Sequence, residues 1–501
     1  MRVCFLVDVR EVTLHHAKRN SQIIGNLFER ALVASHGAQH VGLAWCEAVS
    51  GDEFRLQLFG GRRAFGGAAG FWHGFCFSFR IHMQGGGNMA EETFEPFGPL
   101  QGVKVLNLSQ AIAGPFACAM LGDLGADVIG IENPKGRDTS RPNPVLPGWG
   151  TRMDRRNSRS LCMDVRHGRG RELFYKLLEN ADILVDGFRG GQMDKWGMSD
   201  EALWEVNPAL VIVHISGFGQ TGDPDYISRA SFDAIGQAFS GYMEMNGFPD
   251  RAPVPAFPQP SDYFVGLFAI VGALAALNRA KETGQGDSID AAQYEAMVRC
   301  SGFYVVNYLN TGVLPKREGS HSTSSAGYGT YTCKDGVNLY ILILGAGVVR
   351  NACKVLGIDI AEDPFYDGMG LCGMGTPAGD ILEGKLAEFF GTHTGAEAEE
   401  ILLEAGVPCS RIYTFADCDA DPHYKARETF TTWKNAHNDE TMRGVNVVPK
   451  LKKNPGKIQR GMPLVGQHNE EILHGLGVSD EEIAQLYDEG LIRQETTLTG
   501  K

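Results

Sequence analysis

GPLQGVKVLNLSQAIAGPFACAMLGDLGADVIGIE, at residues 98–132, is the stretch whose pattern decides the fold. Its apolar runs VKVLNL (103–108) and ADVIGIE (126–132) are typical of buried strands. Between them, Pro115 stands where a helix can begin, because proline already has the φ angle of a first helical turn. A strand, a helix and a strand at this spacing predict a βαβ unit, the building block of a parallel sheet.

The same alternation continues as far as residue 216. Three more apolar runs have strand length: SLCMDV (160–165), ADILVD (181–186) and LVIVHIS (210–216). Helical segments separate them, and one of these has Ser199 in the N-cap position and ends before Asn207 and Pro208. Because strands alternate with helices, we predict an α/β fold with a doubly wound, Rossmann-like large domain.

The first turn of this predicted sheet bears on dinucleotide binding. Glu132 ends the second strand, where an acidic residue commonly binds the ribose of NAD. The turn itself reads SQAIAGP (109–115) and lacks the G-x-G-x-x-G pattern that lets the backbone approach a pyrophosphate. The sequence therefore disfavours an NAD-binding function.

The rest of the chain divides into segments of different character. Residues 1–88 are rich in glycine and arginine and show no long periodic segment, so we interpret them as a disordered or non-natural N-terminal extension. Residues 97–314 form the predicted large domain. Residues 315–430 have hairpin and helix patterns typical of a smaller α+β domain, and residues 431–495 are expected to return to the large domain.

Composition limits the possible functions. The chain of 501 residues has a net charge of -14, which argues against a nucleic-acid partner because that function requires a basic surface. Eleven cysteines occur without a CxxC pair or a Cys/His cluster at zinc spacing, which predicts reduced thiols and no metal site. Asp8 interrupts the apolar residues near Met1, which argues against a signal peptide. We therefore expect a cytoplasmic protein.

A proline-rich segment, PAFPQPSDYF (255–264), leads into an apolar run from Val265 to Leu277. The run is shorter than the roughly 20 apolar residues that span a bilayer, so it predicts a buried helix and no membrane contact. Ser261 and Asp262 stand at its start, where either side chain could be the N-cap. Alternatively, Asp262 is a nucleophilic carboxylate, kept ionised by the positive end of the helix dipole. The local sequence leaves both interpretations open.

Several longer segments resemble the class III CoA-transferase family. They are the opening stretch (98–132), SGFGQTG (216–222), FDAIGQAFSGYM (232–243), PSDYFVG (260–266) and NPGKIQRGMPLVGQHNEEIL (454–473). The resemblance extends over residues 97–490 and is greatest to the carnitine and bile-acid branch, notably in GGQMDKWGMSDEALWEVNP (190–208). It implies an interlocked homodimer in which each chain has a large and a small domain.

The catalytic aspartate of that family corresponds to Asp262, so the resemblance favours the nucleophile over the cap. The implied carboxylate attacks an acyl-CoA thioester to form a mixed anhydride and then an aspartyl-CoA thioester, from which an acceptor acid takes CoA. The implied substrates are a coenzyme A thioester and a small carboxylic acid. The chemistry requires no metal and no permanently bound cofactor, but water must be excluded from the anhydride.

CoA carries a diphosphate and a 3′-phosphate, so cations are expected along its binding site. The resemblance implies the following CoA-binding residues: Ile112, Ala113, Arg159, Met163, Arg166, Phe188, Lys195 and Trp196. Two positions depart from the family pattern. Lys195 stands where many members have arginine, which weakens bidentate phosphate binding. Asn133 replaces an arginine of the formyl-CoA branch, so one contact to adenine is expected to differ.

The α-methylacyl-CoA racemases, which have the same fold, supply the main alternative. They have a His–Asp pair where this chain has Phe232 and Asp233, and their histidine abstracts the α-proton. Phenylalanine cannot act as a base, so Phe232 disfavours racemase or epimerase activity. We expect Asp233 to form a local hydrogen bond or a cap, and His214, on an apolar strand, to be a core residue.

The acceptor is expected to be larger than oxalate or formate. Family members that act on those acids have a run of glycines in the loop over the active site, whereas REGSHSTSSAGYG (317–329) has none. We therefore expect a bile acid or a carnitine-like acid. A non-enzymatic acyl-CoA-binding protein is a further alternative, and it predicts CoA binding without exchange.

Overall fold

The chain forms two units, which are described separately. In the computed structural model, the described residues are 41–50, 53–62, 73–82, 96–166, 168–360, 370, 372–438 and 440–499. Before residue 96, three antiparallel strands pair in the order β1-β2-β3: Val41–Ser50, Glu53–Arg62 and His73–His82. The sequence patterns did not indicate these strands. The rest of the predicted extension, residues 1–88, lies outside the described residues, and its origin stays a prediction.

The second unit is built on a six-stranded parallel sheet. Its strands are β4 (Lys104–Asn107), β5 (Asp127–Glu132), β6 (Ser158–Cys162), β7 (Ile183–Asp186), β8 (Val211–Ser216) and β9 (Ser288–Ala292). They lie in the order β6-β5-β4-β7-β8-β9, and every neighbouring pair is parallel. The strand order reverses between β4 and β7, so the sheet is doubly wound, as the sequence predicts.

Helices cover both faces of this sheet. The helices from residue 113 to residue 311 are α1 (Ala113–Asp123), α2 (Trp149–Asp154), α3 (Gly168–Leu178), α4 (Gln192–Lys195), α5 (Asp200–Val206), α6 (Pro224–Ile227), α7 (Asp233–Phe239), α8 (Pro260–Thr283), α9 (Gln293–Cys300) and α10 (Phe303–Thr311). Neighbouring strand residues such as Val105 and Leu106 belong to different cores, because strand side chains alternate between faces. The core of Leu106 contains Phe174 of α3, and the core of Val105 contains Val265 of α8. Burial on both faces explains the continuous apolar runs.

Helix α8 packs in the core that contains Val105. It is 24 residues long and apolar enough to cross a membrane, but half of its most apolar window is buried inside the fold. It is therefore a core helix. Its N-cap is Gln259 and its first residue is Pro260, so Ser261 and Asp262 lie within the first turn. The interpretation of Ser261 or Asp262 as the N-cap is wrong.

The helical segment that follows β9 is divided in two. Residues 291–309 have the pattern of one helix, but Ser301 and Gly302 separate α9 from α10. Gly302 has φ 57° and ψ -130°, a conformation that residues other than glycine rarely adopt. Within the described chain, no residue of α10 is buried.

A smaller α+β region has its own hydrophobic core. Its antiparallel sheet has the order β10-β11-β12: Tyr328–Thr332, Asn338–Leu342 and Cys409–Arg411. The core is completed by α11 (Ala346–Leu356), α12 (Pro377–Thr392) and α13 (Gly395–Glu404). Thr394 and Glu397 form a reciprocal capping box that starts α13.

The last part of the chain contributes to the core of the main sheet. Its elements are α14 (Phe415–Ala420), α15 (Pro422–Ala426), β13 (Phe430–Lys434), β14 (Thr441–Val445), α16 (Asn469–Gly475) and α17 (Asp480–Asp488). Ile472 of α16 and Ile483 of α17 are buried in the same core as Phe174. The domain boundaries near residues 315 and 431 stay predictions.

Candidate active site

Three helices begin around one buried carboxyl group. Asp233 is the first residue of α7, Asp262 lies in the first turn of α8, and Gln293 is the first residue of α9. These side chains belong to residues that are 8%, 8% and 6% exposed. The N-terminus of a helix carries partial positive charge and stabilises an anion. The starts of α8 and α9 therefore favour a negative charge on Asp262.

Asp233 caps the backbone at the start of α8. Its Oδ1 accepts hydrogen bonds from the N–H of Ser261 at 2.8 Å and from the N–H of Asp262 at 3.4 Å. A side chain from another helix thus supplies the cap. The carboxyl group of Asp262 is left available for a different role.

Gln293 holds the carboxyl group of Asp262. Its Nε2 donates a hydrogen bond to Asp262 Oδ1 at 2.5 Å. Burial and the nearby charge of Asp233 raise the pKa of Asp262 to about 6, and the hydrogen bond from Gln293 opposes that rise. The carboxyl group is therefore ionised at neutral pH, which is the form required of a nucleophile.

The proline-rich segment before α8 is fixed by Gln237 of α7. Gln237 Nε2 donates to Asp233 Oδ2 at 2.6 Å and to the carbonyl oxygen of Ala256 at 3.0 Å, and its Oε1 accepts from the Ala256 N–H at 2.9 Å. Gly236 allows α7 to approach α8 closely, since a Cβ there would lie 2.6 Å from Ser261 Oγ. These contacts hold the first turn of α8 in one position.

Two residues beside Asp262 were not identified from the sequence. The ring of Tyr263 packs edge to face against Phe116, with centroids 4.9 Å apart, and its hydroxyl group hydrogen-bonds Asp154. Burial raises the pKa of Asp154 to about 7. No local motif marks Asp154, because only the fold brings α2 close to α8.

A cavity lies at the carboxyl ends of β4–β7, where the strand order reverses. Its lining residues are Leu108, Gln110, Ile131, Glu132, Asn133, Met163, Asp164, Val165, Arg166, Phe188 and Trp196. Met163, Arg166, Phe188 and Trp196 are predicted CoA-binding residues that the structure brings together here. Phe188 and Trp196 meet edge to face, with centroids 4.8 Å apart. Doubly wound sheets bind ligands in this position.

The start of α1 lies between this cavity and the helix that carries Asp262. Ile112 is the N-cap of α1 and Ala113 is its first residue, two and three positions after the cavity-lining Gln110. The carbonyl oxygen of Ala113 lies 3.0 Å from the position that a Cβ on Gly266 of α8 would occupy. Ala113 therefore packs against α8 one turn beyond Asp262, and none of Ile112, Ala113 and Asp262 is among the residues that line the cavity.

Arg159 and Lys195, the remaining predicted CoA-binding residues, are outside the cavity lining. Arg159 pairs with Asp127 at 2.5 Å and with Glu471 at 2.8 Å. Asp127 begins β5, so this cluster lies at the amino end of the sheet, whereas the cavity is at the carboxyl end. Lys195 is exposed at the end of α4, next to Trp196.

Glu132 forms a buried ion pair with Arg141. Arg141 donates from Nε to Glu132 Oε1 at 2.8 Å and from Nη2 to Oε2 at 2.5 Å. Burial alone would raise the pKa of Glu132, but the charges of Arg141 and Arg155 lower it below its ordinary value. Both carboxylate oxygens are thus engaged, and the acid at the end of β5 is not presented to a ribose.

The fold and the site together define a class of protein. A doubly wound sheet places a ligand cavity at its switch point, and a buried, ionised carboxyl group stands at the start of a core helix. The model of CoA-transferase family III matches residues 100–469, and the chain belongs to this family. It is a CoA-transferase, and its family uses CoA thioesters as substrates.

Curated relatives and solved structures agree with this assignment. The chain is 41% identical over 402 residues to the bile acid CoA-transferase BaiK of Clostridium scindens, covering 79% of this chain and 90% of that protein. It is 40% identical over 414 residues to the L-carnitine CoA-transferase of Proteus mirabilis, covering 79% of this chain and 97% of that protein. A CAIB/BAIF family protein from Brucella suis matches at TM-score 0.64 and 30% identity, over 76% of this chain and all (100%) of that one. Rv3272 from M. tuberculosis, at TM-score 0.65 and 22% identity over 76% of this chain and 100% of its own, shares the fold.

Proposed function

We propose that the protein transfers CoA from an acyl-CoA to a bile acid or a carnitine-like acid through covalent intermediates on Asp262. The observation that carries this proposal is the setting of Asp262, which is 8% exposed, accepts a hydrogen bond from Gln293 and is not used as a helix cap. A carboxylate that is this deeply buried has few bound water molecules to lose before it attacks.

The chemistry proceeds in balanced steps. A carboxylate oxygen of Asp262 adds to the thioester carbonyl carbon, and the C–S bond breaks to release CoA thiolate and leave a mixed anhydride. The thiolate then adds to Cγ of Asp262, and the original acyl group departs as a carboxylate. The acceptor acid reverses these steps and leaves as the new CoA thioester. Covalent catalysis thus replaces one difficult exchange with several easier ones.

CoA is proposed to bind in the cavity at the sheet's switch point. Phe188 and Trp196 provide flat apolar surface suited to a base. The guanidinium group of Arg166 lies at the same rim, where Asp164 already pairs with it at 2.7 and 2.8 Å, so a phosphate would have to share or displace that carboxylate. Ile112 and Ala113 would contact the part of CoA that runs from the cavity toward α8. Lys195 is exposed beside Trp196 and could reach a phosphate. Arg159 forms ion pairs with Asp127 and Glu471 at the amino end of the sheet, so it is not placed to contact a phosphate in this cavity.

The acceptor class rests on the two named relatives and on the residues near the site. The names of those relatives specify a bile acid and L-carnitine. Phe232 replaces the base of a racemase and is 71% exposed at the start of α7, directly before Asp233. An exposed aromatic ring there suits the apolar body of a bile acid or, through a cation–π contact, the trimethylammonium group of a carnitine-like acid.

A test of this function measures CoA exchange directly. Purified protein is incubated with an acyl-CoA donor and with cholate, L-carnitine, oxalate or formate, and the new thioesters are separated and quantified. We expect cholate or L-carnitine to be used at least about 10-fold better than oxalate or formate, the effect of well-placed apolar contacts. CoA binding without any exchange would favour the binding-protein alternative. Exchange of the α-proton with D₂O in place of CoA transfer would favour the racemase alternative.

We also propose that the protein is a cytoplasmic homodimer. Helix α10 is apolar, and its Phe303, Val306 and Leu309 are 64%, 54% and 73% exposed in the single chain. Apolar surface of this extent on a soluble protein usually contacts a partner. Free thiols, which suit a reducing compartment, are found at Cys118, Cys162, Cys300, Cys333, Cys353, Cys409 and Cys418.

Sedimentation velocity tests the dimer. The wild-type protein is expected to sediment as a dimer, and the double variant V306E/L309E as a monomer, because two buried charges without partners oppose association. V145E is the matched control, since Val145 is 85% exposed on a loop outside α10. A wild-type protein that sediments as a monomer at micromolar concentration would contradict this proposal.

A further inference from the structure

The amide group of Gln293 lies between two polar side chains. Its Nε2 donates to Asp262 Oδ1 at 2.5 Å, and its Oε1 accepts from Ser231 Oγ at 2.7 Å. Gln293 is 6% exposed, so water does not compete freely for either end of the amide. The three side chains come from separate parts of the chain: the loop before α7, the first turn of α8 and the start of α9.

Ser231 holds the end of the amide that faces away from Asp262. The ionised carboxylate can only accept, so it requires the NH₂ group, and the serine hydroxyl donates to Oε1 at the other end and supports that orientation. Gly217 permits this contact, since a Cβ on Gly217 would lie 2.1 Å from Ser231 Cβ and would displace the serine. The backbone is therefore built to bring Ser231 within reach of Gln293.

We propose that Gln293 is a catalytic residue of the CoA exchange, with its NH₂ group donating to the oxygen of Asp262 that becomes negatively charged, and that Ser231 is its positioning residue. This inference rests on the proposed function of Asp262 as the nucleophile. With Oδ1 engaged by Gln293, Oδ2 is the oxygen that attacks the thioester.

The charge appears when CoA thiolate attacks the anhydride. The sulfur forms a bond to Cγ, and the carbonyl electron pair moves onto Oδ1, where Gln293 Nε2 already donates. The pair then returns to re-form the carbonyl, the Cγ–Oδ2 bond breaks, and the acyl group leaves as a carboxylate that carries Oδ2. No proton, metal or further reactant is required. A preorganised donor to such an oxygen typically contributes about 10²- to 10³-fold in rate.

The test compares Q293M, S231A, the double variant and Q285A in the exchange assay. Methionine fills the volume of glutamine but has no N–H donor, and Gln285 is an exposed glutamine that serves as the control. We expect Q293M to lower kcat by about 100-fold or more with a KM for acyl-CoA within about threefold of wild type. S231A should lower kcat by about 10-fold, and adding it to Q293M should have little further effect, since both remove the same interaction.

A pH profile separates this role from a merely structural one. Because the hydrogen bond from Gln293 lowers the pKa of Asp262, Q293M is expected to move the acidic limb of the kcat profile to higher pH. An unshifted profile, or a kcat equal to that of wild type, would overturn the inference. If Q293M does not fold, S231A alone must move the acidic limb of the kcat profile to higher pH. An S231A profile without this shift would also overturn the inference. The D262N variant shows whether the proposed function itself has failed. If Asp262 is not the nucleophile, D262N retains CoA exchange, whereas a failure of the Gln293 inference alone leaves D262N inactive.

Discussion

Replacing Asp262 with asparagine is expected to reduce CoA exchange by at least about 10⁴-fold, the scale of loss when a covalent nucleophile is removed. Asparagine has nearly the same shape and can still accept the hydrogen bond from Gln293 through its amide oxygen. Its amide cannot attack a thioester. Steady-state exchange should therefore disappear, and hydroxylamine should mark Asp262 in the wild-type protein during turnover but not the asparagine variant.

The matched control for this substitution is D250N. Asp250 is on the surface, with a side chain that is 78% exposed, so the same chemical change should leave exchange at the wild-type rate. Exchange that continues in D262N at a rate near that of wild type would remove Asp262 from the mechanism.

In the wild-type protein, exchange should decline as pH falls through about 6, because protonation of Asp262 removes the attacking carboxylate.

The stability of D262N should change in the direction opposite to its activity. The pKa of Asp262 rises from 3.8 to about 6 on folding, so its ionisation is less favourable in the folded chain than in the unfolded one. That penalty is fully present above pH 6 and vanishes as pH falls toward 3.8. D262N should therefore be more stable than wild type at pH 8, and the difference should shrink on acidification. Urea unfolding at several pH values measures it.

The parallel sheet was predictable from the sequence because its signals are local. A strand buried on both faces is a continuous apolar run, and each run from VKVLNL to LVIVHIS overlaps an observed strand. Capping signals are equally local. Ser199 accepts from the Ala202 N–H at the start of α5, and Thr394 and Glu397 form the capping box of α13.

The details of the site were not predictable, because they depend on contacts between distant residues. Gln293 and Ser231 have no motif of their own, and only the meeting of three helix starts gives them a role. The alternative in which Ser261 or Asp262 is the N-cap of α8 fails for the same reason, since the donors of its first turn are satisfied by Asp233 from α7. The break at Gly302 did have a local signal, a Ser–Gly pair, which the surrounding apolar pattern obscured.

Replacing His214 with leucine is expected to destabilise the fold by about 3–5 kcal/mol, the cost of breaking a buried charge pair. His214 Nδ1 bonds Asp186 Oδ2 at 2.5 Å, and its Nε2 bonds Asp200 Oδ1 at 2.9 Å. Burial alone would lower the pKa of His214, but the hydrogen bonds to Asp186 and Asp200 raise it to about 10. The leucine variant would leave the Asp186 carboxylate, which is 0% exposed, without its counter-charge.

The pH dependence of this loss has a definite sign. Because the folded pKa lies above the unfolded value of 6.5, the stabilisation by His214 is fully present below about pH 6.5 and is lost as pH rises through about 10. The free-energy difference between wild type and H214L should therefore be largest at pH 6 and shrink toward pH 10. H474L is the control, since His474 is half exposed and pairs with an exposed Asp480, so its loss should cost less than about 1 kcal/mol.

His214 also connects the core to the CoA cavity. Asp186 Oδ1 accepts from the Phe188 N–H at 3.0 Å, so the carboxylate held by His214 orients the turn that presents Phe188 to the cavity. Under conditions where H214L remains folded, we therefore expect its KM for acyl-CoA to rise about 10-fold while kcat changes much less, because Asp262 lies on a different helix. An unchanged KM in a folded H214L protein would show that Asp186 holds this turn without help from His214.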